Sequence, residues 1–149
     1  MLKWKHTIDK NIIALYGRSN VGKTSTIRMV LDQLIIEFPG CNHKSLRDHK
    51  REVLATLTIH GVKVGLTSIG DVGREVRENL ELLIENKCEM IICATRTRGE
   101  TVIAVERHEG EFIIKWLEQN IQPNQEKQAA SNKNMSRRIV RSILDLINA

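Results

Sequence analysis

Eight consecutive residues, Gly17-Arg18-Ser19-Asn20-Val21-Gly22-Lys23-Thr24, carry the most specific chemistry in this chain. They fit the pattern G-x-x-x-x-G-K-[ST] without a gap, a pattern that wraps a polyanion in backbone. Gly17 lets the chain leave a strand sharply, and Gly22 lets main-chain N–H groups approach phosphate oxygens. A helix starting near Lys23 points its positive dipole end at the same oxygens. Lys23 adds a mobile charge suited to β- and γ-phosphates. The Thr24 hydroxyl is a ligand for a phosphate-bound Mg²⁺, an ion that keeps waters and phosphates as most of its other ligands.

Such a loop needs a strand before it and a helix after it. Residues 12–16 (Ile-Ile-Ala-Leu-Tyr) form an apolar run of the kind buried in a parallel sheet. Beyond the loop, Ile27, Val30, Leu31, Leu34, Ile35 and Phe38 recur on one helical face, and Pro39-Gly40 stops the helix. On these residues the chain resembles the P-loop NTPase superfamily, whose members bind nucleoside triphosphates and hydrolyse them or pass on a phosphoryl group. The resemblance implies an α/β, three-layer fold with a mainly parallel sheet. It also implies a nucleotide site built from Gly17, Arg18, Ser19, Asn20, Val21, Gly22, Lys23, Thr24 and Ser25, with Mg²⁺ held at Thr24.

The bulk properties bound this reading. At 149 residues the chain is expected to be one domain, 1–149, large enough for a real core but near the lower limit for such a fold. A content of 41% hydrophobic and 28% charged residues with two prolines describes a globular chain rather than a disordered one. No apolar run reaches the roughly 20 residues of a membrane span, and MLKWKHTIDKN lacks the apolar core of a secretory signal, so the expected compartment is the cytoplasm. Cys41, Cys88 and Cys93 cannot all pair, which suits a reducing compartment. The net charge of +5 serves a triphosphate, a nucleic acid or solubility alike.

Cys41 to Arg51 is polar and basic with no sustained period and reads as a loop. It is either a solvated connection or a substrate-binding or switch segment using Lys44, Arg47, Lys50 or Arg51. Val53 to His60 alternates as a strand, and after the turn at His60-Gly61 a second strand follows over Val62 to Thr67. So short a turn joins only antiparallel neighbours. If the second of these strands runs parallel to residues 12–16, the first starts at the phosphate end of the sheet. The superfamily usually ends such a strand with an acid that holds Mg²⁺ through water. Here the strand ends Gly-Leu-Thr-Ser, and Asp71 follows four residues after Thr67. Asp71 is the candidate for that acid, and it is also placed to cap the next helix.

That helix carries Val72, Val76, Leu80, Leu83 and Ile84 on one face, with Arg74/Glu78 and Arg77/Glu81 pairs outside. Met90 to Thr95 is the next buried strand. After it, at the ligand side of the sheet, stand Arg96 and Arg98. They either stabilise charge on a transferring phosphoryl group or form a basic turn before a short helix over Thr101 to His108. Phe112 to Leu117 reads as the last strand. Residues 119–134, rich in Gln, Asn and Lys, read as a linker, and Ser136 as the cap of a final helix over 136–148 that carries Arg137, Arg138 and Arg141. The order is β-α-β-β-α-β-α-β-α. Cys41, His43 and His49 match no usual zinc spacing.

The expected function is that of an ATP-binding, Mg²⁺-dependent NTPase, a small ATPase or a kinase-like enzyme, with Lys23, Arg96 and Arg98 as catalytic groups and Thr24 and Asp71 at the metal. ATP is favoured over GTP because D-x-x-G is absent after the hairpin and no base-reading motif follows a later strand. Two alternatives stand beside it: a GTPase-like switch, which uses a similar hairpin, and a nucleotide-gated module. The module's partner is a protein, a second copy of the chain or a nucleic acid. No membrane is expected.

Overall fold

Strand β1 (Asn11–Tyr16) is apolar on both faces, so both must be covered, and its side chains divide between two cores. A computed structural model describes residues 9–18, 21–46 and 52–148. Ile13 and Leu15 pack with Ile27, Val30 and Leu34 of α1 (Lys23–Glu37) and with Ile139 and Ile143 of α4 (Gln125–Ile147). Ile12 and Ala14 pack with Val76, Leu80 and Leu83 of α2 (Gly73–Glu85) and with Ala104 and Val105 of α3 (Glu100–Glu106). Two helices therefore cover each face, giving three layers. Each fully buried Leu, such as Leu80 or Leu83, contributes about 1.5–3 kcal/mol through burial.

The other strands are β2 (Lys44–Ser45), β3 (Leu54–Ile59), β4 (Val62–Thr67), β5 (Met90–Thr95) and β6 (Ile113–Glu118), in one sheet ordered β2-β3-β4-β5-β1-β6. The sheet is mixed and mainly parallel: β4 pairs with β5, β5 with β1 and β1 with β6 in parallel, while β3 is antiparallel to both β2 and β4. Tyr16 stands level with Thr95 on one side and Glu118 on the other. That register delivers Gly17, Arg96 and Gln119 to the same edge. Beyond β4 the chain runs so close to β5 that a Cβ at Gly70 would lie 2.6 Å from the Ala94 carbonyl oxygen.

Two expectations change. The segment after α1 is not all loop, because Lys44 and Ser45 pair with Thr56 and Ala55 as an edge strand, and Leu46 N–H donates to the Leu54 carbonyl at 2.7 Å. Lys44 lies exposed on that edge, while Arg47, Lys50 and Arg51 fall outside the described residues. The larger change concerns residues 119–134. There is no long linker, and α4 begins at Gln125, capped by the Asn124 side chain, which accepts from Lys127 N–H at 2.8 Å. Ser136 is no cap. It lies inside the helix and donates to the Lys133 carbonyl at 2.8 Å. The reason is that the buried stripe Ile139, Val140, Ile143 and Ile147 is extended at helical spacing by two buried polar residues, Asn132 and Ser136. Composition hides that continuation. Ala130, exposed within α4, provides the check: Ala130→Gly should cost about 1 kcal/mol in urea unfolding, whereas a linker would be indifferent.

Candidate functional site

At the C-terminal edge of the sheet a cavity of about 420 Å³ opens, lined by Gly22, Lys23, Thr24, Ser25, Glu52, Ser68, Gly70, Asp71, Gln128 and Asn132. Its size suits a small ligand, and its position is the one open α/β sheets use for ligands. The α1 terminus forms one wall. Gly22 ends the preceding loop with φ 87°, and the Thr26 N–H donates to its carbonyl at 3.0 Å as the helix begins. The first turn of α1 holds no acidic residue, whereas those of α2, α3 and α4 hold Glu75, Glu100 and Glu126. The positive end of α1 is thus not offset by a carboxylate in its own first turn.

Lys23 is 7% exposed, and its ammonium donates to the carbonyls of Gly17 at 2.5 Å and Thr95 at 2.6 Å. Two neighbouring strands, β1 and β5, thereby fix its head. Burial pulls this ammonium below the usual lysine range, the negative charge of Asp71 opposes the shift, and Arg96 adds to it. The unfolded chain therefore holds the proton more tightly. The penalty is complete at low pH and is relieved as pH rises through the folded value toward the ordinary 10.5. Urea unfolding of the wild type and Lys23→Met at neutral pH and near pH 10 should show the wild type gaining stability relative to the variant as pH rises.

Thr24 and Ser25 line the cavity, Arg18 is exposed, and Ser19 and Asn20 lie outside the described residues. Val21 is fully buried, and its carbonyl accepts from the side-chain amides of Gln119 and Gln128, each at 2.8 Å. The Asn132 Oδ1 accepts from the same two amides, at 2.6 Å from Gln119 and 3.0 Å from Gln128. Thr26 Oγ1 donates to Gln119 Oε1 at 3.0 Å. This cluster ties the loop to the start of α4. Sequence reasoning missed it because it falls in the stretch read as linker, and its only signal was the helical spacing from Asn132 to Ser136 and Ile139.

Asp71 lines the cavity, but it does not cap α2, whose N-cap is Val72 and has no side-chain cap bond. Its carboxylate stands 3.9 Å from the Arg96 guanidinium, which also donates to the Asp71 carbonyl at 3.2 Å. Arg96 reaches the rim through that contact. Its own N–H donates to Thr101 Oγ1 at 2.9 Å, which fixes the turn before α3. Arg98 is exposed in the same turn and is not among the lining residues. Arg137, Arg138 and Arg141 are exposed on α4.

Glu52 also escapes the sequence reading. Its carboxylate accepts from Ser68 Oγ at 2.6 Å, and Ser68 Oγ accepts from the Val53 N–H at 2.7 Å. With β4 parallel to β5 and β5 to β1, β3 starts at this edge, and in the sequence Glu52 directly follows a basic stretch whose charge dominates the local pattern. Among the described residues no three His, Cys, Asp or Glu side chains gather as a metal set. The oxygen donors of Thr24, Glu52 and Asp71 nevertheless fit a Mg²⁺ that takes most of its ligands from phosphate and water. The cysteines offer no competing chemistry: all three are buried, with burial pushing Cys88 up to about 11 and Cys93 up to about 12.

Comparison with protein-family models, with curated proteins and with solved structures returns no match. Among the described residues no helix is long and apolar enough to cross a membrane.

Proposed function

We propose that this chain is a P-loop NTPase that binds ATP with Mg²⁺ and cleaves or transfers the γ-phosphoryl group. The observation that carries the reading is the buried Lys23 ammonium, gathered on the Gly17 and Thr95 carbonyls where α1 opens into the cavity. Such a cation exchanges two carbonyl partners for phosphate oxygens with little movement. The first-turn amides of α1, a turn that carries no acidic residue of its own, supply further positive potential. Thr24 would hold Mg²⁺, and the ion would supply positive charge against the phosphates. Lys23 stabilises charge on the transferring group, and Arg96, held at the rim by its contact with Asp71, completes the clamp. ATP is read in preference to GTP from the missing switch and base-reading motifs.

Displacement of a fluorescent ATP analogue by unlabelled ATP and GTP tests the assignment. ATP should compete at the lower concentration. Stronger competition by GTP would turn the reading to a GTPase-like switch.

One observation favours a second reading, the nucleotide-gated module. The helix whose Gln128 holds the Val21 carbonyl also exposes Arg137, Arg138 and Arg141. An occupied loop and a partner on that basic face would then be linked through α4, whether the partner is a protein, a second copy of the chain or a nucleic acid. Binding that weakens steeply with salt identifies the nucleic acid.

A further inference from the structure

β4 ends at Thr67 and is followed by Ser68, with no acid at the position where the P-loop resemblance implies one. The sheet brings a carboxylate to the same place from the neighbouring strand. β3 runs antiparallel to β4 with Leu54 opposite Thr67, and the ladder continues one step as Ser68 N–H donates to the Val53 carbonyl at 2.9 Å. Glu52 is thus carried to the side of Ser68. The Ser68 hydroxyl, 4% exposed, accepts from the Val53 N–H and gives its single proton to Glu52 Oε2 at 2.6 Å. That length belongs to a charge-assisted O–H···O⁻ bond. A carboxylate accepts at two oxygens, so one fixed by Ser68 orients the group and leaves acceptor capacity for a metal-bound water. Glu52, Ser68 and Thr24 line one cavity.

Asp71 is less suited to that work. Its side chain is 60% exposed and its carboxylate faces the Arg96 guanidinium. We infer that Glu52 is the acid that orients Mg²⁺ in this site through water, with Ser68 as its positioning residue. This rests on the reading of the cavity as a Mg²⁺–nucleotide site. Ser68 replaces the usual strand-end acid by anchoring one from β3's leading end, and Asp71 is left to pair with Arg96.

The test uses the full chain as wild type, Glu52→Gln and Asp71→Asn. A non-hydrolysable ATP analogue is titrated with EDTA and with Mg²⁺, and Mn²⁺ binding to the nucleotide complex is followed by electron paramagnetic resonance. Glutamine keeps an acceptor for Ser68 and removes the charge. Glu52→Gln should bind metal-free nucleotide at least as tightly as wild type, having lost a negative charge from the cavity, and weaken metal binding by about 10–100-fold, with a smaller loss in Asp71→Asn. Wild-type metal binding in Glu52→Gln overturns the inference, as does a larger loss in Asp71→Asn. Loss of metal-free nucleotide binding in Glu52→Gln assigns the Glu52–Ser68 pair to holding the sheet edge and also overturns it. A wild type that binds no nucleotide in either condition overturns the functional reading itself.

Discussion

Lys23→Ala should lower ATP turnover by about 10²–10³-fold, the cost of removing one preorganised charge-stabilising donor from a transferring group. The fold should survive. The lost ammonium donates to two carbonyls, but it is also a buried cation whose burial opposes its charge, so the two contributions act in opposite directions. The Thr95 carbonyl retains the Gly17 N–H as a donor at 3.3 Å. A net change of about 1 kcal/mol either way is expected. Thermal melting beside a γ-phosphate release assay separates the two effects. Turnover equal to wild type in a folded variant would remove Lys23 from the mechanism.

Gly22→Ala should damage both stability and binding. At φ 87° an L side chain is strained at a cost of about 1–3 kcal/mol. The added methyl would also collide with the Asn132 side chain, whose Nδ2 would lie 2.6 Å away and Cγ 2.8 Å away. Asn132 cannot retreat cheaply, because Gln119 and Gln128 both hold its Oδ1. For a chain of this length each kcal/mol lowers Tm by roughly 2–4 °C. Adding Asn132→Ala to Gly22→Ala should recover the part due to the collision and leave the part due to φ. A Gly22→Ala protein that melts and binds nucleotide as wild type does would show that this loop has no strict backbone requirement.

Where local pattern is strong, the elements are legible in the sequence. The apolar run at 12–16, the helical spacing from Ile27 to Phe38, the alternation on both sides of His60-Gly61 and the run at 90–95 each specify an element whose bounds agree with the structure within a residue or a few. The Asp71 turn and the start of β3 also reach the cavity edge that strand direction requires. Three things were not legible for physical reasons. Strand order in a parallel sheet depends on long-range pairing, so no short stretch announces that β5 lies between β4 and β1. A two-residue edge strand such as Lys44–Ser45 has no period to detect. Asn132 and Ser136 occupy buried helix positions as polar residues, and Asn132 bonds to Gln119 and Gln128, so hydropathy breaks the α4 stripe where structure continues it.

The most direct measurement is the fate of γ-labelled ATP with Mg²⁺, in parallel with γ-labelled GTP, resolving bound nucleotide, free phosphate and labelled product for the wild type and Lys23→Ala. Label released or transferred from ATP by the wild type, and lost in Lys23→Ala, is the predicted result. ATP bound but left intact would move the assignment to the nucleotide-gated module. Neither nucleotide bound nor cleaved would contradict the account.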